Sequence, residues 1–221
     1  MRNVVAIDGP AGAGKSTVAK LLARRLGFLY IDTGAMYRAV TLKALREGVP
    51  STEDEAVGSL AGKVSIDLVS SGNGLRVFLD GEDVTEEIRS PEVSRHVSYV
   101  ARIYAVRKRL TTLQREMARS GGVVMEGRDI GTCVLPEADH KFFVTASVRE
   151  RARRRQGDLR RQGHDIDLET LVQEIEKRDF IDSTREVAPL KPAPDAKVID
   201  TTGKTVEEVV NLLATEVLKR Q

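Results

Sequence analysis

An apolar tetrapeptide, Val4-Val5-Ala6-Ile7, runs through Asp8 into Gly9-Pro10-Ala11-Gly12-Ala13-Gly14-Lys15-Ser16. That order leaves few folds open. A short buried strand, then G-x-x-x-x-G-K-S, then apolar positions at Val18, Leu21, Leu22 and Leu26 reads as strand, phosphate loop and helix. The glycines let backbone amides turn toward one point, and the helix N-terminus adds its partial positive charge. Gly9, Pro10, Ala11, Gly12, Ala13, Gly14, Lys15, Ser16 and Thr17 are therefore expected to cradle ATP. Lys15 would reach the terminal phosphates, and the Ser16 hydroxyl would be a ligand for Mg²⁺.

Four more short apolar runs follow, at Phe28–Ile31, Val123–Met125, Lys141–Thr145 and Lys197–Ile199. Each suits a parallel strand covered on both faces, and helical segments separate them. The 221 residues suffice for one α/β domain with insertions. Gly27 should stop the first helix, Ser90-Pro91 should start a middle one, and Gly121-Gly122 should end the helix before the third strand. Thr205 and Glu208 read as a capping box for the last helix.

One segment breaks this rhythm. Val64–Leu68 alternates, Ser70–Gly74 turns and Arg76–Leu79 returns, predicting an antiparallel hairpin with a possible third strand at Asp83–Thr85. It is an insertion between the second and third parallel strands.

Composition limits the partners. Net charge is only +2, which argues against a general nucleic-acid binder. Arginine outnumbers lysine about two to one, which suits bidentate phosphate binding. Cys133 is the one cysteine, so no disulfide forms within the chain, and its apolar neighbours suggest a small core residue. The N-terminal apolar run is too short for a signal peptide, and no segment has transmembrane length, so the expected location is cytoplasmic with no membrane contact.

Polar residues collect where the strands end. The second strand leads into Asp32-Thr33-Gly34 and Tyr37-Arg38, and the third into Glu126-Gly127-Arg128-Asp129. In open α/β sheets that edge is the ligand-binding edge. Arg178, Asp182 and Arg185, at i, i+4 and i+7, should share a helix face. A basic run, Arg149 to Arg155, puts Arg151, Arg154 and Arg155 on one face of a preceding helix.

Taken together, the phosphate loop, Asp-Thr-Gly-Ala-Met-Tyr-Arg at 32–38, Glu-Gly-Arg-Asp-Ile-Gly-Thr at 126–132, Glu-Arg-Ala-x-Arg-Arg at 150–155 and Arg-Asp-x-x-Asp-Ser-x-Arg at 178–185 resemble bacterial cytidylate kinases. The likeness runs in order over essentially the whole chain. It implies a P-loop kinase with a five-stranded parallel sheet (core 1–35, 106–149 and 168–221), a monophosphate-binding insertion at 36–105 and a lid at 150–167. It also implies a monomer catalysing ATP + CMP (or dCMP) ⇌ ADP + CDP (or dCDP).

By the same resemblance, Arg38 and Arg128 grip the acceptor phosphate with Arg185 near it, and Arg151, Arg154 and Arg155 close from the lid beside Lys15. Thr33, Tyr37, Ser98 and Arg107 join the acceptor site, and Arg178 and Asp182 reach the sugar. Asp129 has a chemical reason to read the base. A carboxylate accepts a hydrogen bond from the exocyclic amine of cytosine and is repelled by the carbonyl of uracil. Two other readings are a kinase of another monophosphate, UMP or AMP, and more remotely a P-loop nucleic-acid-dependent ATPase. A GTP switch lacks support, because none of the three asparagines precedes a lysine.

Overall fold

The computed structural model describes residues 3–71, 74–161 and 163–219. Five parallel strands form the central sheet: β1 (Val4–Asp8), β2 (Leu29–Asp32), β6 (Val123–Gly127), β7 (His140–Thr145) and β8 (Lys197–Asp200). Their order is β2-β6-β1-β7-β8. All five sequence-predicted strands are present, displaced by one or two residues at their ends. β1 is central and buried throughout, as a continuous apolar run requires. β8 departs from the expectation of two covered faces. It is an edge strand, so Ile199 is buried while Val198 is exposed.

Helix α1 (Lys15–Leu26) follows β1 and ends at Gly27, whose φ of 68° caps the helix as expected. It packs with α8 (Val206–Leu218) on one face of the sheet, around Val18, Leu22, Phe142, Val210 and Leu213. The Thr205–Glu208 capping box is present at the start of α8.

The insertion is built on α2 (Thr33–Arg46), α3 (Asp54–Lys63), the antiparallel strands β3 (Ile66–Ser71), β4 (Gly74–Leu79) and β5 (Glu82–Asp83), and α4 (Pro91–Arg102). The turn predicted for the hairpin includes Gly72 and Asn73, which lie outside the described residues. The third strand falls at 82–83 rather than 83–85 because Thr85 turns back, its backbone N–H bonded to the Asp83 side chain. Ser90 caps α4 as expected. Together with α5 (Tyr104–Met117) these elements enclose a second core around Met36, Val40, Leu79, Val97 and Leu110.

α5 stops at Met117, earlier than Gly121-Gly122 suggested, and two turns carry the chain to β6. Residues 130–134 form one wide helical turn, in which Cys133 is half-buried rather than a core residue. Finally α6 (Val148–Arg161) and α7 (Leu168–Thr184) pack as a helical hairpin around Ala152, Leu159, Leu171 and Ile175. Arg185 lies just past α7 in extended conformation, so it shares a cluster with Arg178 and Asp182 but not their helix.

Leu110 is fully buried in the insertion core. Leu110→Ala is expected to lower unfolding free energy by about 2–5 kcal/mol in a denaturant titration, with the range set by how far the site collapses.

Candidate active site

The carboxyl ends of β1, β2 and β6 open onto a cavity of about 1100 Å³. The loop between β1 and α1 forms one wall. It requires glycine in two places for steric reasons. A Cβ on Gly9 would lie 1.9 Å from the Val144 carbonyl oxygen, and one on Gly12 would lie 3.1 Å from Cβ of Arg151. No side chain caps α1 at Gly14, so the first-turn amides are left for an anion.

Lys15 is buried beside them, its Nζ donating to the Pro10 carbonyl oxygen at 2.7 Å. Burial first and then the Arg128 charge push its pKa down from the usual lysine range. An anion would reverse that.

Carboxylates stand on the same side. Asp8 accepts from the backbone N–H groups of Ile130 and Gly131, both at 2.8 Å, which ties the wide turn to the end of β1. Burial raises its pKa to about 6 against the pull of those amides. Glu126 accepts from the Tyr30 hydroxyl at 2.5 Å. Burial and the Asp32 charge push Glu126 up, and burial beside Glu126 pushes the Tyr30 hydroxyl far up. Ser16 interacts with both Tyr30 and Glu126, and Ser16, Asp32 and Glu126 all line the cavity. Asp32 and Glu126 beside the Ser16 hydroxyl form an oxygen-rich donor set suited to Mg²⁺.

The opposite wall is guanidinium. Arg38 Nη1 donates to the Ile88 carbonyl at 3.0 Å and to Ser94 Oγ at 2.9 Å, and Arg155 Nη2 reaches the same Oγ at 3.3 Å. Arg128 Nε donates to Asp182 Oδ2 at 3.0 Å. Arg178 approaches that oxygen only to 4.0 Å, and its buried Nε has no hydrogen-bond partner. Burial and the neighbouring guanidiniums lower Arg38 to about 9 and Arg178 to about 10. Burial opposes ionisation of Asp182 too, yet Arg128, Arg178 and Arg185 together hold its pKa below the usual range. Three arginines, Arg128, Arg178 and Arg185, act on this one carboxylate, and an anion in the cavity would relieve the crowding of guanidiniums.

Behind this wall Asp129 is buried between two arginines. Arg107 Nη2 donates to its Oδ2, and Arg185 Nη2 to its Oδ1 at 3.2 Å. Arg107 also lies over the Tyr37 ring, 5.6 Å from its centre. The hydroxyls of Ser98 and Tyr37 are buried without partners, and Ser98 lines the cavity.

Of the sequence-predicted site, Ala11 to Thr17, Arg38, Ser98, Arg128, Arg154, Arg155 and Arg178 line the cavity. Tyr37, Arg107, Asp129, Asp182 and Arg185 lie behind it, and Thr33 bonds the Glu126 carbonyl at 2.7 Å. Arg154 bonds Thr201 through both terminal nitrogens, at 3.0 and 2.8 Å. Arg151 is not among the lining residues; its guanidinium is bonded to the Ala146 and Ala11 carbonyls and to Asp179.

Sequence reasoning passed over Ser94, Lys204 and Val206, which also line the cavity. Lys204 and Val206 follow the carboxyl end of β8, so the rule that ligands gather at strand ends could have found them. Ser94 carries no local signal.

A strand–phosphate-loop–helix unit at the centre of a parallel sheet, with Lys15 facing an arginine cluster, defines a P-loop phosphotransferase. The fold agrees with solved structures. An uncharacterized protein from Eubacterium ventriosum superposes with a TM-score of 0.55 at 13% identity, covering 99% of each chain. Shikimate kinase from Acinetobacter baumannii gives 0.50 at 17%, covering 99% of this chain and 94% of its own.

Sequence comparison is narrower. The cytidylate kinase family model matches residues 5–219. The cytidylate kinase of Pelotomaculum thermopropionicum is 60% identical over 214 residues, 96% of this chain and 95% of that protein. That of Bacillus pumilus is 54% identical over 205 residues, 93% and 91%. The chain belongs to the cytidylate kinase family.

The lowered pKa of Lys15 has a measurable sign. Below its ordinary value, part of the lysine population is neutral in the free protein, and a bound polyanion restores the proton. Calorimetric titration with ATP and chelator at about pH 8, in two buffers of different ionisation enthalpy, should therefore show net proton uptake. Lys15→Met should abolish it.

Proposed function

We propose that this cavity transfers the γ-phosphoryl group of ATP to CMP or dCMP, with the residues behind its arginine wall choosing the base. The observation that carries the reading is the placement of two anion sites across one cavity, the phosphate loop with Lys15 and the Arg38–Arg128–Arg155–Arg178 cluster.

Phosphoryl transfer demands alignment and charge neutralisation more than covalent help from the protein. Lys15 and the loop amides hold the β- and γ-phosphates. Ser16, with Asp32 and Glu126 beside it, would hold Mg²⁺, which when bound neutralises charge on those phosphates. Arg38 and Arg128 take the acceptor phosphate, and Arg185 supports them from behind. Arg154 and Arg155 supply positive charge from α6 to the group in flight. An acceptor phosphate is already an anion near neutral pH, so no general base is required.

Arg178 and Asp182 take the sugar. Asp129, with Arg107 and Ser98, takes the cytosine edge, over the Tyr37 ring. The two arginines hold the Asp129 carboxylate in place, and a carboxylate suits an exocyclic amine and rejects a carbonyl. The family resemblance supports a monomer. A cytoplasmic location is the reading that the family resemblance supports.

ADP formation with Mg-ATP and each of CMP, dCMP, UMP, AMP and GMP tests the reading. Strong turnover is expected with CMP and dCMP, weak turnover with UMP and none with purines. ATP hydrolysis indifferent to every monophosphate would overturn it. Asp129→Ala should lower kcat/KM on CMP by about 1–3 kcal/mol more than on UMP. The ratio is the readout, because removing Asp129 also leaves Arg107 and Arg185 buried without their counter-ion.

A further inference from the structure

Arg151 and Asp179 are left over from the transfer chemistry. Arg151 lies in the first turn of α6 with its guanidinium buried and every nitrogen committed. Nε donates to the Ala146 carbonyl at 2.9 Å, Nη1 to the Ala11 carbonyl at 3.1 Å and Nη2 to Asp179 Oδ2 at 2.6 Å. Ala11 belongs to the phosphate loop, and a Cβ on its neighbour Gly12 would lie 3.1 Å from Cβ of Arg151. Asp179 is on α7, next to Arg178 and three residues before Asp182, which holds Arg128. One guanidinium thus spans the distance from the donor loop to the helix bearing the acceptor-side charges.

The joint is incompletely satisfied. Asp179 Oδ1 is buried without a hydrogen-bond partner, and so is Nε of the adjacent Arg178. Unmet buried groups are costly, and a purely structural ion pair would be expected to satisfy them. Two of them on consecutive residues leave capacity for a second hydrogen-bonded arrangement of α7.

We propose that the Arg151–Asp179 pair is a strut through which a triphosphate in the phosphate loop sets the placement of α7, making ATP and CMP bind cooperatively. Phosphates that draw the loop amides inward displace the Ala11 carbonyl. Arg151 follows it, and Asp179 passes the displacement to Arg178 and Asp182. Asp179 is a positioning residue, touching neither nucleotide. Reciprocity requires CMP to tighten the ATP site by the same factor. The proposal rests on the two-nucleotide reading of the cavity.

CMP affinity is measured by calorimetry with and without a non-hydrolysable ATP analogue, in the unaltered protein, Asp179→Asn and Asp179→Glu, with thermal unfolding as the check on folding. The analogue should tighten CMP by about tenfold in the unaltered protein, inside the usual range of site–site coupling. Asp179→Asn should reduce that factor to about twofold or less, and Asp179→Glu should keep part of it, which a general loss of packing would not reproduce. Should the asparagine variant not fold, Asp179→Ser takes its place, and undiminished coupling there overturns the strut. CMP binding without coupling in the unaltered protein, or full coupling in Asp179→Asn, overturns the strut alone. A protein that binds no CMP overturns the functional reading and the strut with it.

Discussion

The cavity is built around positive charge that the protein does not itself neutralise. Arg38, Arg128, Arg155 and Arg178 converge on the cavity, Arg128 and Arg178 share Asp182, and burial turns the proximity of the guanidiniums into mutual destabilisation. Such a cluster persists only where the surrounding fold over-determines it. The two cores supply that constraint. The insertion core holds α2 and α4, which carry Arg38 and Ser94, and the α6–α7 core holds Arg155 and Arg178. Ser94 lies where these two bodies meet, accepting from an arginine of each. Folding stability is thus converted into stored affinity for an anion.

Not every arginine serves that end. Arg107 and Arg185 both donate to Asp129, and Arg151 donates to Asp179 and two carbonyls. Residue type is the same throughout, and the environment divides the roles. A guanidinium with its donors satisfied by protein fixes geometry, whereas one left short of acceptors is available to phosphate. This division separates a positioning layer from a binding layer within a few ångströms.

The division also explains which features the sequence discloses. The phosphate loop was legible in full because its parts are contiguous, and strand, turn and helix N-terminus are all local. Strand-end residues such as Asp32 and Glu126 could be placed because a parallel sheet delivers its carboxyl ends to one edge. The arginines of α6 were legible only as a face. Helical spacing groups Arg151, Arg154 and Arg155, but their assignments depend on Ala11, Thr201 and Ser94, which are distant in sequence. The edge position of β8 was hidden for a similar reason. Its composition matches a buried strand, and only strand order shows that nothing pairs beyond it.

Glu126 and Tyr30 show what lies between these extremes. Both sit in strands that composition finds easily, and each reads as a strand residue. Their hydrogen bond arises because β2 and β6 are neighbours in the sheet although far apart in sequence. With Tyr30 donating and Asp32 repelling, the Glu126 carboxylate is fixed in place beside Ser16 but costly to ionise. Lys15 and the loop amides face these carboxylates, whereas the guanidiniums at the other end of the cavity have few acceptors. The two ends therefore differ in what they offer a ligand: the first sets anion-binding groups beside oxygen donors, and the second presents cationic donors alone.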